Sequence, residues 1–446
     1  MNHLDERYEI RHFAPALDGD GADAATAGWL ASVQLAFHEK RFATPARESA
    51  ATRRIIDDRR ELTGVYERAA ADRPVQDVAL GADHPVGTFT SFTKTLDVGG
   101  GVLLDAHLIS DVTVRPSHRR RGILRAMMVD NLGRAAEAGL AIAALTASEA
   151  TIYRRFGFGA ATHVRSVRVQ SDHPAHLLSV PAGNVELADP SRLGESARRV
   201  FETFHASTPG SIDRHAREWG RLLTGKSDET EPQPDARSEA EPDPGLRAAI
   251  HTSPGGEVDG YVTYVVEERG DVSSLTVVDL VAVTPDAYLG LWELLLSIDL
   301  VTEVVWRTAP LDDPLHHALA DSRRRRVTEE NDLVWLRILD PVVALEARPY
   351  SVEDTLTLEV TDSLHLADGV LRVETRAGSA TVTRQPEGTP ADLEMDVAVL
   401  GSLYLGGTDP VTLGAAGLVH ERTDRALLRL RALFAQDRQV YGITRF

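Results

Sequence analysis

The stretch "DVTVRPSHRRRGILRAMM", Asp111–Met128, constrains this chain more than any other. Val102–Val114 is a strand candidate that runs into it from the glycine turn Gly99-Gly100-Gly101. On its far side Leu124, Met127, Met128, Leu132, Ala135 and Ala136 recur at helical spacing, and Gly139 ends that helix. Between strand and helix stand Arg119, Arg120 and Arg121, followed by Gly122. A strand, a loop of exposed backbone amides and a helix N-terminus make an anion cradle. The amides converge, the helix dipole adds partial positive charge, and arginine forks offer paired contacts. Such a loop suits a pyrophosphate. It is neither the Gly-x-x-x-x-Gly-Lys-Ser/Thr loop of the Walker site nor the Gly-x-Gly-x-x-Gly turn of dinucleotide folds. The bland alternative is a solvated run of charge, of which Arg323–Arg326 is an example with no glycine after it.

This basic loop sits in an acidic chain, whose formal net charge is −19. An acidic surface argues against DNA or RNA as partner, because their binding needs a basic face. It is compatible with cationic small molecules, whose approach it speeds. Lysine occurs only at Lys40, Lys94 and Lys226, so arginine carries nearly all the positive charge. A length of 446 residues predicts several domains. The chain has no cysteine, which excludes disulfides, thiolate metal sites and a cysteine nucleophile. No metal is expected. "MNHLDERYEI" lacks the apolar segment of a signal peptide, and no run approaches about 18 apolar residues. The expectation is a soluble cytoplasmic protein with no membrane partner.

Around the loop, strands and helices alternate. Tyr8–Phe13 and Val86–Leu96 read as strands, and Ala25–His38 as a helix with Trp29, Val33 and Phe37 on one face. Leu140–Thr146 is a short apolar strand. Ser148 is the N-cap expected for a short helix that holds Tyr153 and closes at Gly157. Further on, "DLVAVTPDAYLGLWELLL", Asp279–Leu296, repeats the layout of Asp111–Met128. It has Tyr288-Leu289-Gly290 where the first copy has Arg119-Arg120-Arg121. A duplicated domain that has lost its anion loop has this pattern; a chance match is the alternative. Gly225–Gly245, rich in proline and acid, reads as a disordered surface insertion. From "DLVWLRILDPVVAL" onward the pattern turns to period two. Leu356, Leu358 and Val360 interleave with Thr357, Glu359 and Thr361, and Leu371, Val373 and Thr375 follow. A helix is expected over Arg422–Ala435, before the final "VYGITRF".

Strand, "RRRGIL", helix, strand and "SEATIYRRFGF" together resemble the acetyl-CoA core of the GNAT acetyltransferases, over Asp111–Phe158. Those enzymes hold the coenzyme pyrophosphate in a Gln/Arg-x-x-Gly-x-Gly/Ala loop. They place a tyrosine, ahead of a Gly-Phe turn, near the thioester sulfur. Leu124 departs from the usual small residue. With Arg125 after it, "HRRRGILRAM" closely resembles the Eis (enhanced intracellular survival) branch. The resemblance implies an α/β (α+β) fold class: tandem GNAT-like domains followed by a sterol-carrier-protein-like α+β domain. The implied divisions are 1–170 for the acetyltransferase domain, 171–336 for a second, degenerate GNAT-like domain, and 337–446 for the last. It also implies acetyl-CoA as co-substrate and a homohexamer. The acceptors it implies are primary amines, including aminoglycosides, polyamines and lysine side chains.

Carried over residue by residue, the resemblance assigns backbone groups of Val112, Thr113 and Val114 to the pantetheine arm and acetyl carbonyl. Arg120, Arg121, Gly122, Ile123, Leu124 and Arg125 wrap the pyrophosphate. Ser148 and Glu149 lie beside the coenzyme at the next helix start, Glu149 through its backbone alone as the alternative. Tyr153 is the general acid, and the carboxylate of Phe446 the base. The chemistry asks for both. An alkylammonium, with a pKa of about 10.4, must lose a proton before it attacks a thioester. The departing thiolate takes a proton that a tyrosine hydroxyl can give. Direct transfer needs no covalent enzyme intermediate, in keeping with the absence of cysteine. The bland alternatives are a packed helix tyrosine for Tyr153 and a frayed terminus for Phe446. Arg445, a cation beside an amine site, must point away. Phe37, His38 and Glu39 are candidates for the amine pocket, with core or surface roles equally open. The rival function is a coenzyme- or lipid-binding regulatory or carrier protein with a vestigial acetyltransferase site. The intact loop and Tyr153 favour the enzyme.

Overall fold

The computed structural model describes residues 4–68, 80–147, 149–171, 176–225, 243–269 and 272–446. Ser148 and most of the insertion expected near 225–245 lie outside the described residues.

The first sheet runs, edge to edge, through Tyr8–Phe13, Glu61–Glu67, Gly87–Asp97, Leu103–Val114, Ile142–Thr146, Val334–Ile338 and Gly159–Ala160. The second runs through Asn184–Ala188, Arg247–Thr252, Val258–Arg269, Val272–Ala282, Glu303–Ala309, His163–Gln170 and Arg325–Asp332. The two sheets exchange a strand. His163–Gln170, at the end of the first division, pairs with Glu303–Ala309 and Arg325–Asp332 in the second sheet. Val334–Ile338 returns to pair with Ile142–Thr146 and Gly159–Ala160 in the first. Hydrogen bonding therefore crosses both of the divisions read from the sequence, at 170/171 and 336/337.

Each GNAT-like sheet carries its helix on one face. Ile123–Glu137 buries Ile123, Met127, Met128 and Leu132 against Phe89, Ile109, Ala143 and Leu145. Pro285–Ser297 buries Leu291, Trp292 and Leu295 against Val262, Leu275 and Val304. The opposite faces merge into one core shared with the third unit, where Leu108, Phe201, Leu336, Leu400 and Tyr441 belong to a single cluster.

The third unit is a sheet of Ser379–Gln385, Gly369–Arg376, Asp354–Thr361, Leu393–Asp396 and Val419–Glu421. The period-two residues Leu356, Leu358 and Val360 all face inward, as alternation requires. Its helix Val397–Leu403 closes the free edge of the first sheet at very short range. A Cβ on Gly159 would lie 1.8 Å from the Ala398 carbonyl oxygen, and one on Gly401 2.3 Å from that of Leu336. Behind this contact the buried Arg337 donates to Asp362 at 2.5 Å. The helix expected over Arg422–Ala435 is shorter, Ala426–Phe434. Arg422 extends the sheet edge by donating its N–H to the Asp392 carbonyl, and Arg425 turns the chain at a positive φ of 62°.

Candidate active site

The loop between strand and helix departs from regular backbone twice, at Arg120 (φ 63°) and Gly122 (φ 79°). Gly122 is the N-cap of Ile123–Glu137, and no side chain caps that helix. The first intrahelical bond is Ala126 N–H to Gly122 carbonyl, so the amides of Ile123, Leu124 and Arg125 remain available. Arg119, Arg120 and Arg125 are exposed. Arg121 instead braces the loop, donating to the Tyr8 hydroxyl at 2.8 Å and the Ser117 carbonyl at 3.2 Å. The second copy is built differently. Thr284 caps its helix by accepting from Ala287 N–H at 3.1 Å, and Pro285 at the first helical position has no N–H to offer. Tyr288, Leu289 and Gly290 are helical there, so no loop exists to hold an anion.

Beside the loop the first sheet splits. Parallel pairing between Leu103–Val114 and Ile142–Thr146 ends at Ile109↔Leu145. Beyond it Ser110–Val114 keep only their neighbour on the other side, among the described residues. A bulge there, with Asp111 at φ 51°, re-aims the strand end. Thr88 Oγ1 fastens the bulge, 2.9 Å from the Asp111 carbonyl and 2.6 Å from Thr113 Oγ1. On the side toward Ile142–Thr146, Val112–Val114 thus have no strand partner among the described residues. The second sheet splits at the matching place, after Val277↔Trp306. Its gap is taken by the chain's own tail: the Tyr441 hydroxyl donates to the Thr308 carbonyl.

The tail continues from there to the first split. Gly442–Thr444 are buried, and Thr444 Oγ1 donates to the Ile212 carbonyl at 2.6 Å. The main-chain oxygen of Phe446 accepts from Thr146 Oγ1 at 2.6 Å, where Ile142–Thr146 ends beside the opening. The Phe446 ring meets Phe92 edge-on at 6.1 Å. Arg60 lies over the Phe92 ring at 4.2 Å and approaches Asp111 at 3.6 Å. Burial lowers the Arg445 pKa first, then the neighbouring Arg221 and Arg307 charges, against Glu218. That cation is turned toward the second unit.

Tyr153 lies on the short helix Ala150–Arg154, whose N-cap is Glu149. The helix thus begins after Glu149, one residue later than a Ser148 cap would place it. Tyr153 is 8% exposed, and its ring meets Phe158 edge-on at 6.3 Å. The hydroxyl has no protein partner among the described residues. Burial, and then the Glu149 charge, raise its pKa above the usual phenol value. Phe37, His38 and Glu39 close the helix Ala24–Ala36 and are exposed. Asp58, Arg60, Phe92, Thr146 and His215, which surround the tail, carry no motif that the sequence reading singled out.

Residues 22–161 and 210–338 each match an Acetyltransferase (GNAT) domain, and 342–442 match a Sterol carrier protein domain. An N-acetyltransferase of Streptomyces avermitilis is 38% identical over 81% of this chain and 87% of its own. N-acetyltransferase Eis of Mycobacterium tuberculosis is 35% identical over 81% of this chain and 86% of its own. The chain belongs to the Eis family of GNAT acetyltransferases. The crystal structure of Eis1 from Mycobacterium abscessus covers 98% of this Eis-family chain and 100% of its own, with TM-score 0.77 and 29% identity. The tandem GNAT and sterol-carrier architecture is therefore that of the family, and the chain is an acetyltransferase. Among the described residues no helix is long and apolar enough to cross a membrane.

Proposed function

We propose that this Eis-family chain transfers an acetyl group from acetyl-CoA directly to a primary amine, such as an aminoglycoside, a polyamine or a lysine side chain. The observation that carries the proposal is the open split in the first sheet, with an uncapped helix N-terminus nearby and the buried tail ending beside it. When bound, acetyl-CoA supplies a thioester whose carbonyl the amine attacks and whose thiolate leaves. The amides of Ile123, Leu124 and Arg125, with the Arg120 and Arg125 side chains, hold the pyrophosphate. Each charge-assisted contact is worth about 1.5–3 kcal/mol. Arg121 keeps the loop in shape, and Gly122 supplies its left-handed turn. Backbone groups of Val112, Thr113 and Val114 align the pantetheine arm and the acetyl carbonyl. Glu149 flanks the coenzyme at the start of the Tyr153 helix, and the family resemblance assigns its sequence neighbour Ser148 the same role.

The Phe446 carboxylate takes the proton from the ammonium, and the Tyr153 hydroxyl gives one to the thiolate. The raised pKa of Tyr153 suits this role, because the phenol stays protonated at neutral pH. The acidic chain draws cationic amines in. Family resemblance further suggests a homohexamer, and the lack of a signal-peptide-like apolar segment a cytoplasmic location. The test is incubation with acetyl-CoA and each of spermine, kanamycin and a lysine-containing peptide, with free thiol and acetylated product as readouts. Thiol release that depends on the amine, with its N-acetyl product, is the expected result. Tight acetyl-CoA binding with no product from any of the three would overturn the proposal.

A further inference from the structure

The groups that hold the end of the tail do not all come from the unit that carries the loop. We propose that His215, from the second GNAT-like unit, is a positioning residue for the transfer: it fixes the last peptide of the tail and so aims the Phe446 carboxylate at the split. This rests on the reading of that carboxylate as the base.

His215 is 3% exposed and stands at the N-cap of the helix Ala216–Thr224. Its Nδ1 accepts from Glu218 N–H at 3.3 Å. Capping alone does not ask for a histidine, because serine, threonine, aspartate and asparagine are the preferred caps. Asp58 already serves this helix end, its Oδ1 accepting from Ala216 N–H at 2.7 Å. The second ring nitrogen explains the choice. Nε2 lies 2.7 Å from the carbonyl of Arg445, the peptide oxygen immediately before Phe446.

The neighbours also set which nitrogen carries the proton. Arg60, which is always a donor, stands 3.2 Å from the same Nδ1. With two donors aimed at Nδ1, the proton resides on Nε2, the tautomer that donates to Arg445. Around the ring lie Asp58 at 3.6 Å, Arg60, Glu218 and, edge-on at 5.8 Å, Phe92. Burial and then the Arg60 charge keep the imidazole pKa below its usual value, against the Arg445 carbonyl, Asp58 and Glu218. The shift favours the neutral ring, and Nε2–H donates to Arg445 in either protonation state. Phe92 touches both His215 and Phe446, so one apolar ring backs the tether and the tail's last side chain. Thr146 holds the final residue from the opposite side. Thr308 and Ile212 of the second unit also bond the tail, and His215 bonds it at the peptide just before the last residue.

Two substitutions separate the ring's two duties. His215→Asn places an amide oxygen where Nδ1 was, keeping the cap and losing the reach to Arg445. His215→Gln places an amide nitrogen where Nε2 was, keeping the tether and losing the cap. Turnover is measured with whichever of spermine, kanamycin and the lysine peptide gives the fastest thiol release. His215→Asn is expected to keep the wild-type Tm and acetyl-CoA affinity while kcat falls roughly 10²-fold, the cost of a misplaced group. Carboxypeptidase should also release Phe446 faster from it. His215→Gln should melt lower yet retain more of kcat. A purely structural histidine gives the reverse order, with activity following Tm, and that result overturns the inference. Unchanged release of Phe446 from His215→Asn overturns it too. A protein extended beyond Phe446 tells the two readings apart. If the extended protein is fully active, the carboxylate is not the base and both readings fall. If extension abolishes activity and His215→Asn does not, the base stands and His215 alone is refuted.

Discussion

Tyr153 and Phe446 show how unevenly single residues can be read from a sequence. Tyr153 announced itself through "IYRRFGF", a local pattern. In its proposed role as general acid it works protonated, and burial with the Glu149 charge moves its pKa upward, so activity should persist into alkaline solution. The alkaline limb of kcat should fall above the usual tyrosine value of about 10. Glu149→Gln removes one of the two causes and should shift that limb downward. Tyr153→Phe should remove the limb and lower kcat by about 10²–10⁴-fold, with acetyl-CoA affinity held. A pH profile from 7 to roughly 11 on the three proteins checks this, and a turnover of Tyr153→Phe near wild type would assign the proton to another group. The partners of Phe446 were not legible in the same way. Thr146 is 300 positions away in sequence, and Arg60 meets His215 across 155. Neither pairing leaves a local trace, because only the folded chain brings these residues together.

At the scale of elements, the duplicated motif could be read from its letters, and its divergence has a physical cause. In the first copy the helix opens on a glycine with free amides; in the second, threonine and proline close the helix end. Gly122→Ala tests what the open end does. Its Cβ would meet nothing within 4 Å, so only the left-handed φ of 79° resists it. That resistance is about 1–2 kcal/mol, small enough for the fold to survive. Acetyl-CoA affinity should nevertheless drop, by calorimetry, as the loop turns its amides away. Gly159→Ala is the opposite case. Its Cβ would fall 1.8 Å from the Ala398 carbonyl, a backbone atom that cannot step aside. Destabilisation of about 1–3 kcal/mol or more is expected in urea unfolding, with the sterol-carrier-like unit displaced first. Nothing in the sequence marked Gly159, which follows the Gly157-Phe158 turn, since the helix it meets lies far along the chain.

Across the whole molecule, the units are joined by buried contacts that composition does not reveal. Arg337 sits in the first sheet and Asp362 just after the strand Asp354–Thr361 of the third unit, both almost fully buried. Burial alone would raise the Asp362 pKa, yet the Arg337 charge and hydrogen bonds bring it below the usual value. Its stabilising effect is therefore full above the unfolded value of about 3.9 and fades as pH drops through the lower folded one. Asp362→Asn leaves Arg337 buried without a counter-charge and should cost about 3–5 kcal/mol near neutral pH. The cost should shrink in acid, which thermal melts at several pH values will show. The exchanged strands carry this interdependence into biosynthesis. Val334 must pair with Thr146, yet the intervening chain takes roughly 10–40 s to make at about 5–20 residues per second. During that interval on the ribosome, the apolar strand Ile142–Thr146 waits with a bare edge, the kind of surface that invites aggregation. A gene fragment that stops at Ala161 never supplies the missing strand. Its product should pellet from lysates even though every residue of the arginine loop is present, and a nascent full-length chain should lean on chaperones for the same reason.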